Sequence, residues 1–306
     1  MNSKIAALAV AVIALLGVGA FALNGDSDSE DTSTSTSNNT SVEATTGLDE
    51  LTIDNLAPLE AGLYEGWVVQ GDDKLSFGTF NTDEDGNVIG ELSLDGITAQ
   101  DGDTVAISIE PVPDDDPEPS PVIVLAGIIE DGSAELAFPL DVASFSGGYI
   151  TGTPTNDPTG LENSGVWFVD PTDGPSASLN IPDAPEGWVY EGWVVYEGTP
   201  YTTGRFASAN AGDDFNDFSG TTGTTPNFPG EDFVNNLPDG SDYWDLANGT
   251  STVVVSIEPD IDGVDPTGEG PAQLKPLSHL ISEDIVDHTL TDLELDSSVP
   301  SGSFSL

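Results

Sequence analysis

From residue 50 onward the apolar residues fall in short runs separated by turn residues. LTIDNL (51–56), YEGWVVQ (64–70), LSFGTF (75–80), VIGELSL (88–94), VAISIEP (105–111) and PVIVLAGII (121–129) are each six to nine residues long. Asp-Gly pairs at 85–86, 101–102 and 131–132 and the proline-rich DDDPEPSP (114–121) punctuate them. AELAFPL (134–140), GGYITGTP (147–154), GVWFVDP (165–171) and SASLNIP (176–182) continue the series, followed by WVYEGWVVYEG (188–198), YTTGRFA (201–207) and STVVVSIEP (251–259). Short runs bounded by such turns predict an all-β fold of antiparallel strands in a sandwich or barrel. The tail 274–296 is expected to finish the sheet, with at most one helical turn.

The pattern occurs twice. Tyr64, Glu65, Gly66, Trp67, Val68, Val69, Gly78 and Phe80 recur as Tyr190, Glu191, Gly192, Trp193, Val194, Val195, Gly204 and Phe206, at a constant offset of 126 residues. VAISIEP recurs as VVVSIEP, at an offset of 148 residues, so the second copy carries 22 more residues between these landmarks. Landmarks repeated in the same order predict two copies of one β unit, at 50–182 and 183–306. The extra residues belong to an insertion running from 210 to 249. Loops of that length in compact domains are functional or lie packed over an open face. Its Phe215, Phe218, Phe228, Phe233, Tyr243 and Trp244 are expected to tuck under the loop.

Side chains two apart share a strand face. Glu65, Trp67 and Val69 therefore point one way, and Tyr64, Gly66 and Val68 the other. Trp67 and Trp193 are expected in matching cores, with Glu65 reaching solvent or a turn N–H. Glu110 and Glu258 each precede a proline that closes the strand. These four residues, Trp67, Trp193, Glu110 and Glu258, are read as fold-defining.

The N-terminus departs from this pattern. Residues 5–23 are apolar, preceded by Lys4, and 19 residues just reach a membrane span. Ala20-Phe21-Ala22 also fits a signal-peptidase site. Residues 1–25 are therefore read as an export signal or a membrane-anchoring helix. Residues 26–49, rich in Ser, Thr, Asp and Glu, are read as a disordered acidic stalk.

Composition narrows the chemistry. The chain of 306 residues carries 55 acidic and 4 basic side chains, a formal charge of −51, with no cysteine and two histidines. Cysteine chemistry is excluded, and His279 and His288 stand at no standard metal spacing. A chain with no basic face is a poor partner for nucleic acid. At about 1 M salt the Debye length falls to about 3 Å, so such a charge suits a saline exterior or serves as a solubilising coat.

Specific sites are few. Asn81, Asp83 and Asp85 fall at positions 1, 3 and 5 of a calcium-loop pattern, but Glu91 is one place early and flanking helices are missing. A β-hairpin with an Asp-Gly turn is the preferred reading of that segment, with calcium the alternative and no other cofactor expected. Asn38, Asn39 and Asn248 lie in N-x-[ST] sequons, which an exported chain can glycosylate. No nucleophile elbow, phosphate loop or HExxH motif is present, and no carboxylate pair stands out as catalytic.

The aromatic-x-x-Trp strand, the G-x-F strand and the strand ending in IEP resemble the C-terminal extracytoplasmic domain of the anti-sigma-K factor family. The match runs over Tyr64–Val69, Gly78–Phe80 and Val105–Pro111, and again over Tyr190–Val195, Gly204–Phe206 and Val253–Pro259. The resemblance implies an extracytoplasmic β-sandwich-like domain in tandem copies. It does not imply sigma-factor control, since only MNSK precedes the apolar run.

The expectation is a non-enzymatic binding or structural module on the surface of a salt-adapted prokaryote, an archaeon, secreted or anchored in the membrane through residues 5–23. Its partner would be another envelope protein or a surface polymer. The alternatives are the outer sensory domain of an anti-sigma-like system and, more remotely, an extracytoplasmic hydrolase working with carboxylates.

Overall fold

A computed structural model describes residues 50–156, 160–264 and 270–306. The signal or anchor at 1–25, the stalk at 26–49, and Asn38 and Asn39 lie outside the described residues. The described chain is all-β and antiparallel. It divides into two compact units, one ending at Asp141 but including 299–306, the other spanning Val142–Ser298.

The first unit is one eight-stranded sheet. Its order is Glu50–Asp54, Ser301–Ser305, Ser133–Ala137, Ile123–Ile128, Thr104–Glu110, Leu63–Gln70, Asp73–Thr82 and Val88–Gly90. The sheet is rolled: Phe77 on the seventh strand meets Phe304 on the second, with ring centroids 6.1 Å apart. The segment after the first strand crosses to the seventh and nearly closes the roll. There Asn81 accepts from Leu59 N–H and donates to Leu59 C=O, both at 2.9 Å, and Thr82 donates to Leu56 C=O at 3.1 Å.

The second unit is a sandwich of two five-stranded sheets, with a separate two-stranded ladder of Val169–Asp170 and Ser176–Ala177. One runs Leu179–Asn180, Ser146–Thr151, Gly165–Trp167 and Gly230–Asp232, with Thr291–Asp292 also on Ser146–Thr151. The other runs Thr199–Phe206, Trp188–Tyr196, Thr252–Pro259, Leu277–Leu280 and Glu294–Leu295. Phe168 and Phe206 meet at 6.4 Å and Phe145 and Tyr190 at 6.2 Å across the interior. Tyr149 and His279 join the sheets through a 3.0 Å hydrogen bond.

Three features differ from the sequence expectation. The C-terminal SGSFS strand, Ser301–Ser305, departs from the expected pattern, because only Phe304 in it is large and apolar; it pairs with Ser133–Ala137 on one side and Glu50–Asp54 on the other. As a result the boundary expected at 182/183 falls inside the second unit. The strands at 146–180 form a sheet with the insertion and so belong there. The tail continues as short strands, as expected, at Leu277–Leu280, Thr291–Asp292 and Glu294–Leu295. Finally, Leu63–Gln70 is buried on both faces, because rolling encloses Tyr64 and Val68 while Trp67 and Val69 pack with Ala106, Ile123 and Ala126.

Candidate functional site

The repeated motif builds the same local structure twice. Tyr64 pairs with Phe80, Glu65 with Thr79 and Gly66 with Gly78, and a bulge then sets Trp67 opposite Ser76. Tyr190 pairs with Phe206, Glu191 with Arg205 and Gly192 with Gly204, and the same bulge sets Trp193 opposite Thr202. The glycines are required. Gly78 and Gly204 take φ of 128° and 110°, a region that L side chains rarely enter. A Cβ at Gly66 would overlap the Phe77 ring, and one at Gly192 would overlap the Thr203 hydroxyl.

Behind each bulge runs a relay of hydrogen bonds. Trp67 Nε1–H donates to Ser108 Oγ at 2.8 Å, Ser108 donates to Glu110, and Glu110 accepts the Ser120 backbone N–H at 2.9 Å. In the second copy Trp193 donates to Ser256 at 2.8 Å, Ser256 to Glu258, and Glu258 accepts the Ala272 N–H at 2.9 Å. The fold-defining residues Trp67, Glu110, Trp193 and Glu258 are thus brought together in pairs, and each pair ties a central strand to the loop that follows the IEP strand. The serine link was overlooked, although it is visible in both VAISIEP and VVVSIEP. Burial pushes the Glu110 carboxyl up to about 6, the bonds from Ser108 and Ser120 opposing the shift.

Glu65, expected to reach solvent or a turn N–H, is buried, as is Glu191 at the matching place. The hydroxyl of Ser76 donates to Glu65, and that of Thr202 to Glu191 at 2.6 Å. Glu191 also holds Arg205, whose Nε lies 3.1 Å from its carboxylate and whose guanidinium reaches Asp260 at 3.7 Å.

The insertion of the second copy is packed. Phe233 and Trp244 are buried, and Trp244 stacks on Tyr196 at 4.5 Å and on Phe233 at 5.4 Å. Phe218 packs on Phe233 and on Phe215, Phe228 packs against Ile150 and Trp167, and only Tyr243 among the six stays exposed. Its strand Gly230–Asp232 places two acids, Glu231 and Asp232, fully inside. Asp232 accepts from Trp167 Nε1–H at 2.6 Å, from Thr155 N–H at 2.8 Å and from the Thr155 hydroxyl. Glu231 accepts from the Ser219 hydroxyl and from Asp232 N–H through one oxygen, while its Oε2 has no hydrogen-bond partner. Asp213, half-buried, accepts Phe215 N–H and Gly230 N–H. Burial pushes Glu231 up to about 8, and Asp232 and Asp213 each up to about 6. At neutral pH Glu231 is therefore the protonated member and Asp232, with three donors, the anion. No sequence signal marked these acids, because the insertion has no strand periodicity and 55 acidic residues hide any three.

The calcium-loop candidates lie in a hairpin, Asn81 opposite Ile89 and Thr82 opposite Val88. Asn81 is occupied by Leu59. Asp83 accepts from the backbone of Asp85 and Asn87 and from the Asn87 side chain, which hold its carboxyl below the usual range, the Asn87 side chain contributing most. Asp85 and Glu91 are exposed, and among the described residues no three metal-ligating side chains converge. Asn248 caps its own turn, its Oδ1 accepting from Thr250 N–H and Ser251 N–H at 2.8 Å each. His288 pairs with Glu162 at 3.1 Å. No helix among the described residues is long and apolar enough to cross a membrane. No family model, characterised protein or solved structure matches the chain.

Proposed function

We propose that the chain is a non-enzymatic extracytoplasmic binding or structural module, displayed on the surface of a salt-adapted prokaryote and carried there by residues 1–25. The observation that carries this reading is where the buried carboxylates are used. Glu110, Glu258, Asp232 and Asp213 each accept backbone N–H groups and so fasten loops. Glu231, whose carboxyl burial pushes up to about 8, is fully buried. A general acid must lie within hydrogen-bond reach of a substrate. The formal charge of −51 supports a saline setting. The resemblance to anti-sigma-K extracytoplasmic domains adds a sensory role as the alternative, acting through another envelope protein.

Proteolytic shaving of intact cells that express the chain tests the location. Release of fragments from residues 50–306 without lysis is expected; complete protection in intact cells, with cleavage only after lysis, overturns it.

A further inference from the structure

The two copies differ at one point that has a chemical meaning. Glu65 and Glu191 sit at the same place in the motif, paired across the strand with Thr79 and Arg205 respectively. Directly paired residues of antiparallel strands project from the same face. In both copies a hydroxyl, Ser76 or Thr202, holds one carboxylate oxygen of the glutamate and accepts the N–H of the following glycine, Gly78 or Gly204. In the second copy the other oxygen of Glu191 holds the Arg205 guanidinium at 3.1 Å. In the first copy an exposed Thr79, which carries no charge, takes the place of Arg205, and Ser76 is exposed where Thr202 is buried. The hydroxyl of Ser76 is the hydrogen-bond partner that Glu65 has among the described residues.

The charges around Glu65 are also of one sign. Its carboxyl is raised by burial and by the field of Asp114, and Glu110 is raised by burial and by Asp114 and Glu65. The nearby Lys74 is engaged with Glu118 at 2.6 Å.

We propose that Glu65, with Asp114 and Glu110 beside it, is a receptor for a guanidinium group, filled by an arginine side chain of a partner protein where the second copy fills it from within. Arg205 is the single arginine of this chain and is already held by Glu191. The occupant is therefore a different protein rather than a second copy of this one. A planar guanidinium offers paired donors that match a carboxylate, which an ammonium or a bare metal cation does not. The site rests on the reading of the chain as a binding module and gives that module a partner chemistry. Its test uses purified protein and so can fail without bearing on where the protein resides.

N-acetylarginine amide is titrated into residues 26–306 at about 0.1 M ionic strength, with N-acetyllysine amide as the control, following the Trp67 indole and Thr79 amide signals by NMR. Saturable shifts at both signals with the arginine compound, at least about threefold tighter than with the lysine compound, are expected. Thr79→Arg is expected to abolish the binding and to raise Tm by about 2 °C or more by supplying the missing group. Arg205→Thr is expected to create a second site, read at the Trp193 indole. Shifts that do not saturate, that spread over the acidic surface, or that persist unchanged in Thr79→Arg overturn the proposal. So does equal binding of the two compounds. If the truncated protein is unfolded, the Tm comparison of full-length Thr79→Arg with the parent decides, an unchanged or lower Tm counting against the site.

Discussion

The protonation state of Glu231 has a consequence that can be measured. Its carboxyl is fully buried, one oxygen bonded to Ser219 and Asp232 N–H and the other unpartnered, with Asp213 and Asp232 adding negative field. The folded pKa of about 8 stands above the ordinary 4.5. A raised folded pKa gives stability that is complete below pH 4.5 and is lost as pH rises to 8. At about 1.4 kcal/mol per unit, the whole shift is worth about 5 kcal/mol. Glu110, Asp213 and Asp232 have the same sign but finish their loss near pH 6. Between pH 6 and 8 Glu231 therefore accounts for a further loss of about 2 kcal/mol, because at pH 8 it is only half ionised in the folded protein. Glu231→Gln keeps the shape of the neutral acid and cannot ionise. Urea unfolding of both proteins at pH 6 and 8, in about 1 M NaCl to screen surface charge, should show the parent losing about 2 kcal/mol more than the variant. The histidines are common to both proteins and cancel in the comparison. Parallel profiles, or a variant weaker by the same amount at both pH values, would refute the reasoning.

Removing the serine link should cost stability in each copy: Ser108→Ala or Ser256→Ala leaves a buried indole N–H and a carboxylate short of partners, worth about 1–3 kcal/mol by urea unfolding, and a loss below about 0.3 kcal/mol would contradict the relay. Gly66→Ala and Gly192→Ala should each lower Tm by about 5 °C or more, since the new methyl overlaps Phe77 or Thr203; an unchanged Tm at either position would mean the bulge is not as described. Thermal unfolding in NaCl should move to higher temperature between about 0.1 M and 2 M as the negative charges are screened, beyond the rise produced by a neutral osmolyte, and an equal or lower Tm would refute a halophilic design.

Much of the framework was legible in the chain because strand signals are local. The runs around Trp67 and Trp193 carry their turn glycines and apolar residues with them, and the expected segments 64–70 and 75–80 fall within the observed strands Leu63–Gln70 and Asp73–Thr82. Of VIGELSL only Val88–Gly90 forms regular strand, although the chain still runs beside its partner beyond it, Ser93 N–H bonding Phe77 C=O. What could not be read was non-local. Ser301–Ser305 acquires its strand character from partners more than 160 residues away, and no local pattern announces them. The burial of Glu65 and Glu191 goes with a hydroxyl donor from the neighbouring strand, Ser76 or Thr202, a pairing that charge and periodicity alone do not reveal. The acids of the insertion became recognisable only when Gly230–Asp232 paired with Gly165–Trp167.

The central claim is that one β unit was built twice around one tryptophan–serine–glutamate relay. Exchange of the indole Nε1–H protons tests it most directly, with Trp67 and Trp193 assigned by Trp→Phe variants in the full chain. Both protons are expected to resist exchange with solvent, and each to lose that protection when its own serine, Ser108 or Ser256, is replaced by alanine. Fast exchange at either tryptophan in the unaltered protein, or protection that survives loss of the serine, would contradict it.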